Sequence, residues 1–275
     1  AGIETLKELG WLYLHGSSIA PDGPAPQRAS YSDAVLIKRL EAAVERINPA
    51  LPEAARTEAI RQVLVSESAN LHEENRRIHR LLRDGVDVSY RGPDGRARGG
   101  KVWLIDFDAI DTNDWLVVNQ FTLIEGQYNR RPDLVLFLNG LPIAVLELKN
   151  PADENATLSA AFNQLDTYKD QIPSLFRSNG FLVTSDGLKA RMGSVTADEA
   201  RYQPWRTLNG EDYEPPGRPE LDTLLRGAFD RGTVLRLIRD FTVFVEDEKG
   251  PIKIIAGYHQ FHGAQKALRQ AVGAI

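Results

Sequence analysis

The chain has no cysteine among its 275 residues. That excludes disulfides and thiolate metal sites, and it fits a reducing cytoplasm as the place of work. No apolar run reaches the roughly 20 residues that span a bilayer, and no secretory signal opens the chain, so no membrane role is expected. Bulk positive charge is missing too: 33 Lys and Arg against 38 Asp and Glu leave a formal net charge of −5. Proteins that wrap DNA by bulk electrostatics have the opposite balance, so a nucleic-acid contact would need local basic surface. The pattern Gly-x-x-x-x-Gly-Lys-Ser/Thr is absent, which removes the P-loop type of ATP site.

What is present is enough apolar sequence, 42% of residues, for a substantial core. The length suits one large domain, or one domain plus part of another. Ile3, Leu6 and Leu9 share one face of a helix ending near Trp11. Because that pattern is already under way at the first residues, the natural chain is expected to begin earlier. Further helices are predicted over Tyr31–Ile47 with Ser32 as N-cap, over Pro52–Ser66, and over Leu71–Arg83 closed by Gly85. Val86–Tyr90, Lys101–Phe107 and Trp115–Leu123 read as strands, the first two joined at Pro93-Asp94-Gly95.

The stretch that organises the rest runs from Arg131 to Asn150: Arg-Pro-Asp-Leu-Val-Leu-Phe-Leu-Asn-Gly-Leu-Pro-Ile-Ala-Val-Leu-Glu-Leu-Lys-Asn. Two apolar runs, Leu134–Leu138 and Ile143–Leu148, flank Asn139-Gly140, the strongest short-range signal for a hairpin. Alternation along the second strand puts Glu147 and Lys149 on one face and Leu146 and Leu148 on the other, in the core. A three-residue loop would set Asp133 opposite Glu147; a two-residue loop would set it opposite Leu146. Pro142, which cannot donate to the ladder, makes the longer loop plausible. Two carboxylates brought together call for a cation, and an all-oxygen pocket favours Mg²⁺ or Mn²⁺ over zinc.

After the hairpin, Asn155 or Thr157 starts a helix covering Leu158, Ala161, Phe162, Leu165 and Tyr168, and strands follow at Gly180–Ser185 and Ala190–Ser194. This is a crossover onto the sheet. Leu208 to Pro219 has linker composition. Leu221–Phe229, a helix over Thr233–Phe241, strands at Thr242–Glu246 and Ile252–Ala256, and a helix opening at Gly257 complete the chain. The expected class is α/β (mixed α+β), a mixed sheet with a central hairpin flanked by helices.

Asp133 followed by Glu147-Leu148-Lys149, with Pro132 before the aspartate, resembles the signature of the PD-(D/E)XK nuclease superfamily. The whole twenty-residue string resembles the N-terminal nuclease region of the endonuclease (R) subunit of type I restriction enzymes. Asn119-Gln120-Phe121, Gln164-x-x-x-Tyr168, Ser185-Asp186-Gly187 and Gly257-Tyr258-His259-Gln260-Phe261 occur in the family's order. The resemblance implies a restriction-endonuclease-like fold over residues 1–208. Residues 209–275 would be a linker and the start of a motor domain, the chain stopping before the ATP-driven translocase. It implies cleavage of double-stranded DNA with Mg²⁺ or Mn²⁺, with ATP used only by the absent motor, and modification and specificity subunits as partners. Asp133, Glu147 and the carbonyl of Leu148 would hold metal, and Lys149 would stabilise the transition state. Gln164 and Tyr168, on one helical face, would support the metal site, phosphate or DNA. Isolated, the chain is expected to cut weakly or not at all, since the motor delivers the DNA.

The remaining candidates have plainer readings. The family's extra helix carboxylate is sought at Glu4 or upstream of residue 1, with Glu67, Glu73 and Glu74 as competitors that read as solvated helix charges. Arg76, Arg77, Arg80 and Arg83, and Arg91, Arg96, Arg98 and Lys101, are possible basic patches that singly read as solvated faces. His72 with His79, and His259 with His262, read as polar helix residues rather than zinc ligands; Asp106 and Asp108 read as a strand-end turn. Two other functions stay open at this stage. One is a docking scaffold that keeps the nuclease fold without its chemistry. The other is a sugar- or nucleotide-processing hydrolase with a small-molecule pocket.

Overall fold

A tight hairpin forms where Asn139-Gly140 separates the two apolar runs, because both residues tolerate left-handed backbone: φ is +52° at Asn139 and +80° at Gly140. Around it the computed structural model describes residues 2–92, 94–150, 152, 156–213, 217, 219–248 and 250–273. In chain order the elements are α1 (Gly2–Glu8), β1 (Leu12–His15), α2 (Ile37–Ile47), α3 (Glu53–Leu64), α4 (Leu71–Asp84), β2 (Val86–Arg91), β3 (Ala97–Val102), β4 (Trp115–Asn119), β5 (Leu123–Glu125), β6 (Tyr128–Arg130), β7 (Leu134–Leu138) and β8 (Leu141–Leu148). Then come α5 (Leu158–Gln171), β9 (Phe181–Ser185), β10 (Ala190–Gly193), α6 (Glu220–Ala228), α7 (Arg231–Arg239), β11 (Thr242–Asp247), β12 (Gly250–Ile255) and α8 (Tyr258–Gly273).

The main sheet has six strands in the order β1-β4-β7-β8-β9-β10, so the β7–β8 hairpin lies at its centre. The pairs β1–β4 and β8–β9 are parallel and the rest antiparallel. This is the mixed sheet and the α+β class expected, with α5 as the crossover between β8 and β9. Each face of the sheet is buried. Leu134, Leu136, Ala144 and Leu146 enter a core shared with α2, α3, α4, α6 and α7. Val135, Phe137 and Val145 enter a second core under Leu165 and Tyr168 of α5. Strands buried on both sides read as continuous apolar runs, as both hairpin strands do.

The loop question resolves in an unforeseen way. Leu138 pairs with Leu141, so the loop has only two residues, yet Leu134 pairs with Leu146 because the register shifts between Leu136 and Phe137. The extra residue is Ile143, a β-bulge next to the proline that cannot donate. Continued one step, the shifted register sets Asp133 opposite Glu147, the outcome assigned to the longer loop.

Several element boundaries differ from expectation. Residues 31–36 are not helical; Asp33 turns the chain by accepting from the N–H groups of Ala29 and Ser30 at 3.1 and 2.9 Å, and Ser32 caps nothing. Local side-chain bonding outcompetes helix there. Gly10, at φ +88°, ends α1 early and lets 12–15 join the sheet as a parallel edge. The predicted strand over 115–123 is two strands broken at Gln120 (φ +53°), and β3 stops at Val102. The hairpins β2–β3, β5–β6 and β11–β12 each stand apart from the main sheet. Thr157 caps α5, accepting from Ala160 N at 3.0 Å; Asn155, Pro93 and Pro151 lie outside the described residues.

The segment after residue 208 packs into the first core through Leu224, Phe229, Leu235 and Phe261. Its β11–β12 hairpin brings Lys253 into full burial, where Nζ donates to Asn75 Oδ1 at 3.2 Å and to the Asn179 carbonyl at 2.7 Å. Burial alone lowers its pKa to about 7.

Two predictions follow from these contacts. A Cβ on residue 140 would meet the Leu36 carbonyl oxygen at 2.5 Å in addition to the left-handed strain; Gly140→Ala should cost about 3 kcal/mol in denaturant unfolding. For Lys253, the unfolded chain keeps its proton up to about pH 10 while the fold releases it near 7. The fold thus binds fewer protons in that window and gains stability as pH rises through it. Thermal unfolding from pH 7 to 10 should show this gain in the wild type, and Lys253→Met should remove it.

Candidate functional site

Asp133 sits just before β7, and Glu147 and Lys149 at the end of β8, so the bulged hairpin register gathers all three at one end of the sheet. The backbone N–H of Leu148 donates to Asp133 Oδ2 at 2.8 Å. That bond ties the aspartate to the neighbouring strand. Lys149 Nζ lies 3.1 Å from Glu147 Oε1, and its backbone N–H donates to the Ser185 carbonyl of β9 at 2.8 Å. Asp133, Glu147 and Lys149 therefore lie together, one of the two arrangements that the hairpin left open.

The crossover helix adds the rest. Residues 164 and 168 are one turn apart on α5, facing the sheet, and Gln164 Oε1 accepts a short hydrogen bond from Lys149 Nζ. The amide's other end, Nε2, donates to the Tyr168 hydroxyl at 2.6 Å. A chain of contacts thus runs Glu147–Lys149–Gln164–Tyr168, each member orienting the next. Beside it an open cleft is lined by Asn129, Arg130, Arg131, Asn163 and Thr167 together with Gln164 and Tyr168.

Electrostatics single out Glu147. It is only 3% exposed, and its Oε2 has no hydrogen-bond partner among the described residues. Burial, then the charge of Asp133, push its carboxyl up to about 7, against the opposing pull of Lys149. Burial also raises the Tyr168 hydroxyl, with Glu147 and Asp133 adding to it against the Gln164 hydrogen bond. A buried, orphaned carboxylate oxygen beside a second carboxylate fits a hard cation: both supply oxygens, and positive charge would relieve the repulsion. Asp133, Glu147 and the Leu148 carbonyl are the residues placed to hold it.

The sequence has known relatives. The family described as "Type I restriction enzyme R protein N terminus" matches residues 2–201. The type I restriction enzyme HindI endonuclease subunit of Haemophilus influenzae is 37% identical over 99% of this chain. A provisionally named type I restriction enzyme MjaIXP endonuclease subunit from Methanocaldococcus jannaschii is 35% identical over the whole chain. The chain belongs to the type I restriction enzyme R protein family. It spans 26% and 27% of the length of those two relatives.

Other candidates fall away from this centre. For a family in which a helix carboxylate was sought, Glu4 instead pairs with Lys7 on the exposed side of α1 at 3.0 Å. Glu73 and Glu74 are taken by Arg76 and Arg77, and Glu67 lies 3.5 Å from Arg77. Among the described residues no group of three His, Asp or Glu side chains could hold a metal. Arg76 and Arg77 are thus committed to ion pairs, as are the exposed Arg83, Arg98 and Lys101 with Asp84, Asp94 and Asp87, whereas Arg80, Arg91 and Arg96 are exposed. His79 is buried against Phe244, where burial drops its pKa to about 2, and His262 packs on Trp205. Asp106 makes the expected turn, accepting from Asp108 and Ala109 N–H groups. No helix among the described residues is long and apolar enough to cross a membrane.

One residue was seen without being given a role. Gln120 belongs to the Asn119-Gln120-Phe121 string, and its Nε2 lies 3.4 Å from Asp133 Oδ1. Nothing in spacing pointed there, because the contact depends on the break in the strand.

The raised Glu147 makes a sign-specific prediction for the metal-free protein. The folded carboxyl keeps its proton to about pH 7 while the unfolded one loses it near 4.5. The fold therefore binds the extra proton, and stability is full below pH 4.5 and lost as pH rises through 7. A shift of this size corresponds to about 3 kcal/mol. In EDTA, Glu147→Gln should therefore melt higher than the wild type at pH 8, with the gap closing by pH 4.5.

Proposed function

We propose that this chain is the metal-dependent nuclease part of a type I restriction enzyme endonuclease subunit, cutting the phosphodiester backbone of double-stranded DNA. The observation that carries the proposal is the meeting of Asp133, Glu147 and Lys149, with Gln164 on Lys149, at an open end of the sheet. Family membership supports it. The docking-scaffold alternative would leave no need to bury an orphaned carboxylate beside a second one.

Asp133, Glu147 and the Leu148 carbonyl would hold Mg²⁺ or Mn²⁺, which when bound polarises a phosphate oxygen and lowers the pKa of water. The other duties fall to the chain's own groups. Hydrolysis forms a bond from a water oxygen to phosphorus, with loss of a proton from that water, and breaks the bond to one bridging oxygen, which leaves with the electron pair and takes up a proton from solvent. Negative charge grows on the phosphate oxygens in between. Lys149 presents a fixed ammonium for that charge, held in place by Glu147 and Gln164, and preorganised charge of this kind costs no rearrangement at the moment of reaction. Tyr168 holds Gln164 in turn. Glu147 must release its proton to serve as a ligand, so metal affinity rises with pH up to about 7.

Within this proposal residues 1–208 hold the nuclease fold, and 209–275 lead toward an ATP-driven motor outside the chain. Modification and specificity subunits would choose the site, in the cytoplasm, and ATP would serve the motor alone. Delivery of DNA by that motor leaves the isolated chain with little cutting of its own.

The test is made in the full-length subunit assembled with its partners. Asp133→Ala and Lys149→Ala should each lower DNA cutting by at least about 100-fold, while ATP hydrolysis and translocation continue. Cutting retained in both variants would overturn the proposal.

A further inference from the structure

Gln120 lies one residue beyond β4, across from Asp133, in backbone that L side chains rarely adopt: φ is +53°. The surroundings hold it there from three sides. Its N–H donates to the Asp133 carbonyl at 3.0 Å. Gly16, bonded to the Asn119 carbonyl at 2.8 Å, packs so closely that a Cβ at residue 16 would sit 2.3 Å from the Gln120 carbonyl oxygen. Arg28, buried, donates to the Thr122 carbonyl at 2.5 Å and covers the Phe121 ring at 3.9 Å from its centroid. An outlier so firmly over-determined points to a use for the conformation.

The use is visible at Asp133. Left-handed backbone cannot continue the ladder, so β4 stops and the side chain of Gln120 stays beside the carboxylate, Nε2 to Oδ1 at 3.4 Å. An ionised carboxylate only accepts, so the amide presents its NH₂ group. The Leu148 N–H occupies the other oxygen, Oδ2, at 2.8 Å. One donor on each oxygen fixes the rotation of the carboxylate. The turn alone does not call for glutamine, since glycine adopts the same φ without strain. What glutamine adds is its amide.

We infer that Gln120 is a positioning residue that sets the orientation in which Asp133 shares a divalent cation with Glu147. The inference rests on the metal-site reading of those two carboxylates. Gln120 acts through Asp133 and needs no contact with DNA. Outer partners of this kind typically tune metal affinity by tenfold or more.

The experiment measures Mn²⁺ binding to the 275-residue chain at pH 8 by calorimetry and by electron paramagnetic resonance, with melting temperature recorded for each variant. Gln120→Gly keeps the backbone and deletes the amide; Gln120→Met keeps the side-chain volume and the strain and deletes the amide. Both should weaken Mn²⁺ binding about tenfold, and Gln120→Gly should do so with no loss of melting temperature. Asp133→Ala should abolish binding. If Asp133→Ala loses Mn²⁺ while both Gln120 variants bind within twofold of the wild type, the role of Gln120 is overturned and the metal site stands. If Asp133→Ala binds as the wild type does, or the wild type binds none, the metal site falls and this inference with it.

Discussion

Register is the constraint on which the rest of the molecule depends. The side-chain period of a strand is two, so a slip of one residue between β7 and β8 would send the aspartate to the opposite face from the glutamate. Two local devices prevent the slip. Asn139 and Gly140 accept the left-handed turn, with Gly140 pressed against the Leu36 carbonyl, and the bulge at Ile143 adds the one residue that the short turn omits. Apolar burial on both faces then locks the result, because every hydrophobic side chain of the hairpin would change sides if it moved.

That same burial creates the electrostatic tension of the site. The sheet carries Glu147 under α5 with one oxygen unpartnered among the described residues, while Lys149 stays close enough to the surface to be held by Gln164. Some charged pairs elsewhere are of another kind: Arg61 with Glu58, or Arg83 with Asp84, sit in solvent and contribute little. A desolvated acid next to a second acid is costly unless something positive arrives. The fold stores a mismatch at one end of the sheet and leaves that end open.

The post-208 segment shows the opposite solution to a buried charge. Lys253 is sealed between α4 and the residues after α5, donating to the neutral groups of Asn75 and Asn179 and lying 5.6 Å from the centre of the Phe244 ring. No acid pairs with it among the described residues, and burial alone moves its proton. The cost is absorbed by hydrogen bonds and by packing of the β11–β12 hairpin against the first core.

Much of this was legible before any coordinates. The Asn-Gly hairpin, the helix from Thr157, the crossover and the shared face of Glu147 and Lys149 all follow from patterns a few residues long, whereas the place of Asp133 beside them was implied by the family resemblance. That Gln164 and Tyr168 share one face was legible because a helix repeats every 3.6 residues; that they belong beside Lys149 was implied by the resemblance. The misses share a cause. Residues 31–36 look helical by spacing, yet Asp33 binds its own backbone; Leu12–His15 is too short to announce itself as a strand and exists only because β4 lies alongside. The sequence by itself determined which residues alternate and which recur, since those depend on local geometry alone. Tertiary structure decided which of two registers the hairpin takes, that one oxygen of Glu147 is buried without a partner among the described residues, and that Gln120 turns back to Asp133. Each of these is set by groups far apart along the chain competing for one place, and no local period encodes the outcome of that competition.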